Sequence, residues 1–141
     1  LQRRGRLPYI DIHLINLLDP RQRIAVVGAD QRAFGNQRLI DAAGNLKVLL
    51  RQDGTSTLRP EIAQGKAKGA VALGLGSRTI FERAKDQPYF IQSMNALAGG
   101  KLVPVPGGVL IRHEGRIIGA VGITGDSSDN DETCAKRAIA S

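Results

Sequence analysis

The segment GDSSDNDE, residues 125–132, holds the acidic side chains best suited to chemistry in this chain of 141 residues. Asp126, Asp129 and Glu132 are candidate catalytic residues, because a carboxylate can act as a general base. Such oxygen ligands also suit a hard cation, but their spacing does not follow the calcium-loop pattern. Acidic and hydroxyl side chains also cap the free amides at the start of a helix. We therefore expect a helix cap here and no metal site, with a site completed by a neighbouring subunit as the alternative.

Two histidines and one cysteine are the other side chains with metal-binding or nucleophilic potential. They are too few for a zinc site unless carboxylates or a partner chain contribute ligands. His13 or His113 could ligate a haem iron, whereas an isolated histidine is more often an ordinary surface or capping residue. Cys134 follows a predicted helix start by more than one turn, and we expect an inert thiol that faces the core.

Glycine-rich segments raise the question of a phosphate site. Gly74-Leu75-Gly76 lacks the third glycine and the preceding strand that the dinucleotide-binding pattern requires. Gly65-Lys66-Ala67 lacks the hydroxyl residue and the earlier glycine of a P-loop. We therefore exclude both motifs. Lys66 lies in the middle of a predicted helix, where a lysine is usually exposed, and the alternative is a cation that reaches a cleft.

Composition and charge exclude several classes of protein. The net charge is +7, but the arginines are scattered and aromatic residues make up only 4%, so we expect no nucleic-acid partner. No apolar run approaches the roughly 20 residues of a membrane span, so we expect no membrane partner. The N-terminus, LQRRGRLPYI, lacks the apolar core and cleavage site of a signal peptide. We expect a cytoplasmic protein, with secretion or a periplasmic location as alternatives.

The predicted elements that must position these side chains mix strands with helices in one domain. Strand patterns cover residues 24–29, 46–51, 101–105, 109–112 and 116–124. Helix patterns begin near residues 60, 77, 86 and 126. Strands joined by short turns pair in antiparallel fashion, and helices grouped between and after strands are typical of an α+β fold.

Three ordered motifs resemble a known family. The segments RPEIAQGKAKGA (59–70), VPVPGGVLI (103–111) and IIGAVGITGDSSDNDE (117–132) are similar to the GlcG/HbpS family, which includes the C-terminal domain of PduO-type proteins. Residues 41–139 follow the family pattern throughout, whereas residues 1–40 depart from it: they are rich in arginine and glutamine and show no clear alanine-rich first helix. The resemblance therefore covers the part of the chain after residue 40, and we interpret residues 1–141 as a single domain of this family with an atypical N-terminal part.

The resemblance implies a profilin-like α+β fold with a five-stranded antiparallel sheet flanked by helices. It also implies homo-oligomers. Some members of the family bind haem, some are linked to haem degradation, and the PduO-type domains are linked to corrinoid metabolism. We therefore expect a small-molecule-binding protein whose ligand is haem or a related tetrapyrrole.

A ligand site is predicted where the three motifs meet. Glycines allow a ligand to approach the backbone closely and expose amides to it, and Arg59 and Lys66 could pair with a carboxylate such as a haem propionate. One alternative is an enzyme that acts on a small carboxylate or on haem, with Asp126, Asp129 or Glu132 as the base. Another is a structural oligomerisation module. The predicted cofactor-binding residues are Arg59, Lys66, Pro106, Gly107, Gly108, Thr124 and His113.

Overall fold

The structure, a computed structural model, describes residues 35–140 of the chain. Its elements are β1 (Asn36–Asp41), β2 (Leu46–Arg51), α1 (Arg59–Leu73), α2 (Ser77–Asp86), α3 (Pro88–Leu97), β3 (Gly108–His113), β4 (Arg116–Thr124) and α4 (Ser128–Ala140). The predicted α+β class is confirmed, and the strands predicted at 46–51 and 116–124 have the predicted bounds. None of the helices described is long and apolar enough to cross a membrane.

The four strands form one antiparallel sheet in the order β2-β1-β4-β3. β1 lies at its centre and pairs Leu39 with Val121 of β4 and with Val48 of β2. β3 and β4 are joined by the predicted two-residue turn, in which Glu114 and Gly115 both have positive φ angles of 48° and 77°. This is the conformation that a tight hairpin of right-handed twist requires.

Helices cover both faces of the sheet, because successive residues of a strand point to opposite sides. In β1, Ile40 packs with Ala67 and Ala70 of α1, whereas its neighbour Leu39 packs with Ala135 and Ala138 of α4. The core is aliphatic on both sides, as the composition requires. The sheet is therefore the middle layer between α1 and α4.

Two glycines of the sheet, which have no side chain, let α1 lie very close to it. A Cβ atom built on Gly122 of β4 would overlap the carbonyl oxygen of Ala63 in α1. A Cβ atom on Gly108 of β3 would likewise overlap the carbonyl of Lys66. These glycines therefore serve close packing between layers, which agrees with one of the roles that the sequence indicates for them.

The described residues contain four strands, so the expected five-stranded sheet is corrected for this part of the chain. The predicted strand at 101–105 is wrong: the amide of Leu102 donates to Asn95 Oδ1 at 3.0 Å and that of Val103 to the carbonyl of Gly65 at 3.4 Å. These residues therefore run along α1 instead of pairing with a strand. The predicted strand at 24–29 lies outside the described residues.

The central strand β1 was not predicted, because it begins with polar residues. Asn36, Gln37 and Arg38 are 0%, 5% and 9% exposed. Asn36 Nδ2 donates to the hydroxyl of Thr55 at 3.2 Å, whereas Asn36 Oδ1, Gln37 Oε1 and Arg38 Nε are buried and have no hydrogen-bond partner among residues 35–140. Burial lowers the pKa of Arg38, and the nearby charge of Glu61 partly opposes this effect.

Candidate functional site

A buried ion pair between Lys66 and Asp131 lies where the three sequence motifs meet. Lys66 Nζ is 3.0 Å from Asp131 Oδ2 and donates a second hydrogen bond of 3.0 Å to the carbonyl of Ile123. Asp131 Oδ1 accepts the amides of Gly125 and Asp126, each at 3.0 Å. Since α1 and α4 cover opposite faces of the sheet, this pair joins the two outer layers.

Burial lowers the pKa of Lys66, and the hydrogen bond and charge of Asp131 oppose that effect. The two side chains are 2% and 3% exposed. An unpaired charge at such a position would be very costly, so each member of the pair requires the other. The usual expectation of an exposed lysine is wrong for Lys66, and its ammonium group contacts Asp131 and the carbonyl of Ile123.

The turn at Pro106-Gly107-Gly108 closes over this ion pair. Gly107 has a φ of 120°, and a Cβ atom there would lie 2.9 Å from Lys66 Nζ and 2.7 Å from the carbonyl oxygen of Ile123. The amide of Gly108 donates to the buried Ser77 hydroxyl at 2.7 Å. The glycines of this turn therefore make room for the lysine, and their contacts are with the protein itself.

The three candidate catalytic acids lie at the start of α4. Asp126 Oδ1 accepts the amide of Ser127 at 2.7 Å, and Asp126 Oδ2 accepts Asn130 Nδ2 at 2.9 Å. These two contacts hold the pKa of Asp126 below its usual value, the one to Asn130 contributing most. The Ser127 hydroxyl accepts the amide of Asn130 at 3.2 Å. The predicted cap of this helix is therefore confirmed.

Asp129 and Glu132 are both held by Arg78 of α2. Arg78 Nη2 bonds Asp129, and Arg78 Nε donates to Glu132 Oε2 at 2.5 Å. These hydrogen bonds, led by the one to Asp129, raise the pKa of Arg78. Glu132 also pairs with Lys136 at 3.2 Å. Within the described residues, no group of three or more His, Cys, Asp or Glu side chains could hold a metal ion.

Arg59 and Thr124 form a separate polar contact at the N-terminus of α1. Arg59 Nη1 donates to the hydroxyl of Thr124 at 3.2 Å, and Thr124 is 3% exposed. The charge of Arg59 contributes to lowering the pKa of Lys66 and of Asp126. The structure thus brings Arg59, Thr124 and Asp126 into one neighbourhood, as the sequence indicates.

The structure places His113 far from this neighbourhood. It ends β3 at the hairpin, five residues from Gly108 along an extended strand, or about 17 Å. Its Nε2 atom is 3.7 Å from Glu114 Oε1 on the surface.

Cys134 is partly buried against the core below α4, and burial raises the pKa of its thiol. Its predicted inert character agrees with that environment, because the thiolate is the nucleophilic form. His13 lies outside the described residues.

Two adjoining cavities follow the outer side of α1. One has a volume of about 450 Å³ and lies beside the C-terminal half of the helix. The other has a volume of about 480 Å³ and lies beside the N-terminal half. Both volumes are within the range of small-molecule sites. The first is lined by Ala42, Ala43, Gly44, Lys68, Gly69, Val71, Ala72, Ala98, Lys101 and Leu102, and the second by Leu58, Glu61, Ile62, Gln64, Gly65, Lys68, Gly100, Lys101 and Val103.

The segment that crosses α1 creates the walls of these cavities. Leu102 and Val103 pack where Gly65 and Gly69 of α1 carry no side chain. Lys68 and Lys101 line both cavities. Neither was singled out from the sequence, and none of the predicted site residues lines either cavity. The sequence did contain one signal for this surface: Lys68 is the second lysine of the first motif and follows Lys66 by two residues.

Residues 36–140 match the model of the family described as haem-degrading protein HbpS-like. The corrinoid adenosyltransferase PduO of Citrobacter freundii is 29% identical over 102 residues, which are 72% of this chain and 30% of that protein. This chain therefore spans less than a third of that relative.

Solved structures share the architecture. The complex of PduOC with haem matches with a TM-score of 0.67 and 29% identity, over 74% of this chain and 75% of that one. HbpS matches with a TM-score of 0.65 and 24% identity, over 77% of this chain and 73% of that one. The second likeness supports the fold alone.

Proposed function

This chain belongs to the HbpS-like family, which confirms the resemblance of its three motifs, and on that premise we propose that it binds haem or a related tetrapyrrole. The observation that carries the proposal is the pair of adjoining cavities along α1, which share two lysines. The similarity to PduOC, which was solved as a complex with haem, supports the choice of ligand.

The residues around the cavities fit the organic part of haem. The C-terminal cavity is lined by small apolar residues such as Ala72 and Ala98, and none of its described lining residues is acidic. Such a surface suits the flat face of a macrocycle, whose burial is favourable by about 25 cal/mol for each Å² removed from water. Lys68 and Lys101 would pair with the propionate groups, because charge-assisted hydrogen bonds to carboxylates are the stronger ones.

The alternative of an enzyme that uses Asp126, Asp129 or Glu132 as a base stays a prediction. None of the three carboxylates lines either cavity, and Arg78 already engages Asp129 and Glu132. These contacts favour a role in holding α4 against α2. The structure therefore supports ligand binding better than catalysis.

A haem titration followed by the Soret absorption tests the proposal. We expect a saturable change at one haem per chain. Ala72→Glu places a carboxylate in the cavity wall and should weaken binding at least about tenfold, a change of 1.4 kcal/mol. Ala96→Glu is the matched control, since Ala96 is also an exposed helical alanine but lines neither cavity. No Soret change at stoichiometric protein, or equal effects of the two variants, would contradict the proposed function or its site.

A further inference from the structure

The lysines of this chain differ in their electrostatic partners. The described residues include six lysines, and Lys47, Lys66, Lys85 and Lys136 each form an ion pair. Lys68 and Lys101 form none with a described residue, and these two line both cavities. The two lysines without an ion pair among the described residues therefore lie together, at the same two cavities.

The cavities also differ from a metal-centred site. Haem iron in proteins is held by histidine, cysteine, methionine or tyrosine, and no such side chain is among the described residues that line the cavities. His113 lies at the hairpin of β3 and β4, and Cys134 packs against the opposite face of the sheet. The described residues that line the cavities along α1 can therefore bind a ligand through charge and apolar contact, but none of them can ligate iron.

We propose that Lys68 and Lys101 recognise the carboxylates of a flat tetrapyrrole independently of its metal, so that metal-free porphyrins with two propionates are ligands as well as haem. This inference rests on the proposed function and names the chemical class that the same cavities select. Each lysine presents a compact charge on a flexible stem, which suits carboxylates that project from the rim of a ring. Glu61, in the N-terminal cavity, is the one acidic residue among the described lining residues. It disfavours a carboxylate there, so we place the propionates nearer the shared lysines.

Three porphyrin probes separate the contributions of metal and carboxylate. Binding of haem, free-base protoporphyrin IX and protoporphyrin IX dimethyl ester is measured on the same protein, by absorption and by porphyrin fluorescence. We expect the free-base form to bind within about threefold of haem, and the dimethyl ester at least about tenfold more weakly, since one charge-assisted hydrogen bond is equivalent to about that factor. Lys68→Gln and Lys101→Gln should each weaken both propionate-bearing probes by a similar factor.

Lys136→Gln is the control for loss of positive charge. Lys136 lies on α4, across the sheet, and its side chain is 61% exposed, so its replacement should leave all three affinities unchanged. Binding of haem without binding of free-base protoporphyrin IX would overturn the inference and leave the proposed function standing. Equal binding of the dimethyl ester, or unaltered binding by both lysine variants, would also overturn it. Failure of every probe to bind would overturn the proposed function itself.

Discussion

Lys66→Met should be among the most destabilising single substitutions in this chain. Methionine keeps an unbranched side chain of similar length but removes the ammonium group that pairs with Asp131. Both side chains are almost fully buried, so water cannot take the place of the lost partner. Removing one member of a buried ion pair costs about 3–5 kcal/mol.

The contacts that remain after each substitution determine whether Lys66→Met or Asp131→Ala is the more destabilising. After Lys66→Met, Asp131 still accepts the amides of Gly125 and Asp126, so we expect a loss of about 3 kcal/mol. Asp131→Ala leaves those two amides without this acceptor and leaves the buried ammonium of Lys66 without its counter-ion, with only the carbonyl of Ile123 as a partner. Each unsatisfied donor costs about 1–3 kcal/mol, so we expect the larger loss, about 5 kcal/mol, for this variant.

Urea unfolding followed by circular dichroism gives the free energies directly, because their change appears as a shift of the midpoint at constant slope. Lys136→Met is the control: the Lys136 side chain is 61% exposed, and its pair with Glu132 one turn earlier in α4 is of the kind that contributes about 0.3–0.5 kcal/mol. A loss below about 1 kcal/mol for Lys66→Met would refute the reasoning, because a buried carboxylate that has lost its cation should lower the free energy of unfolding by more than that. A larger loss for Lys66→Met than for Asp131→Ala would refute the assigned order.

Two further outcomes concern packing and pH. Gly122→Ala should cost about 3 kcal/mol in urea unfolding, because its methyl group would overlap the carbonyl of Ala63. Gly76→Ala should cost less than about 1 kcal/mol, because its Cβ atom would lie 3.8 Å from the nearest carbonyl; similar losses would contradict the packing argument. Burial alone would raise the pKa of Asp41, but hydrogen bonds from the turn after β1 and from Lys47 hold it below its usual value. Its stabilising contribution is therefore present at neutral pH and lost as pH falls through that lowered pKa. Asp41→Ala should reduce the loss of stability as pH falls from about 4, near the ordinary pKa of an aspartate, through that lowered pKa, and an unchanged pH profile over this range would exclude this role.

Local patterns predicted the elements that are bounded by turns. β2 and β4 are apolar segments between glycine-containing turns, so their ends are set by the chain itself. β1 breaks that rule, because its first three residues are polar and yet buried between two strands. Hydrogen bonds to both neighbours fix β1 as a strand, and pairing of this kind cannot be inferred from the residues of β1 alone.

The segment from Lys101 to Val105 was predicted as a strand but is irregular in the structure. Its apolar residues suggest a strand, but Pro104 has no amide to donate to a neighbouring strand. Gly65 and Gly69 leave a bare surface on α1, and Leu102 and Val103 pack onto it. The choice between strand and irregular segment depended on that surface, which belongs to a helix about 30 residues earlier in the sequence.

The motifs that identify the family mostly describe its scaffold. Lys66, Gly107 and Asp131 come from three separate motifs, and they meet around one buried ion pair that joins α1 to α4. Lys66 and Asp131 are 65 residues apart in sequence, so helical periodicity could assign each of them to a face but not to each other. The sequence could therefore indicate that these residues lie close together, but not that Lys66 and Asp131 pair with each other.

Two neighbouring lysines of α1 divide the roles of structure and binding. Lys66 and Lys68 are about 200° apart around the helix, so one faces the sheet and the other the cavities. Lys68→Gln should therefore leave the free energy of unfolding within about 0.5 kcal/mol of the parent protein and weaken porphyrin binding. Lys66→Met should lower stability strongly and leave the affinity of the folded protein unchanged, when both are measured in the absence of urea. If Lys68→Gln were as destabilising as Lys66→Met, Lys68 would belong to the scaffold and the cavities would lose one of their two anchors.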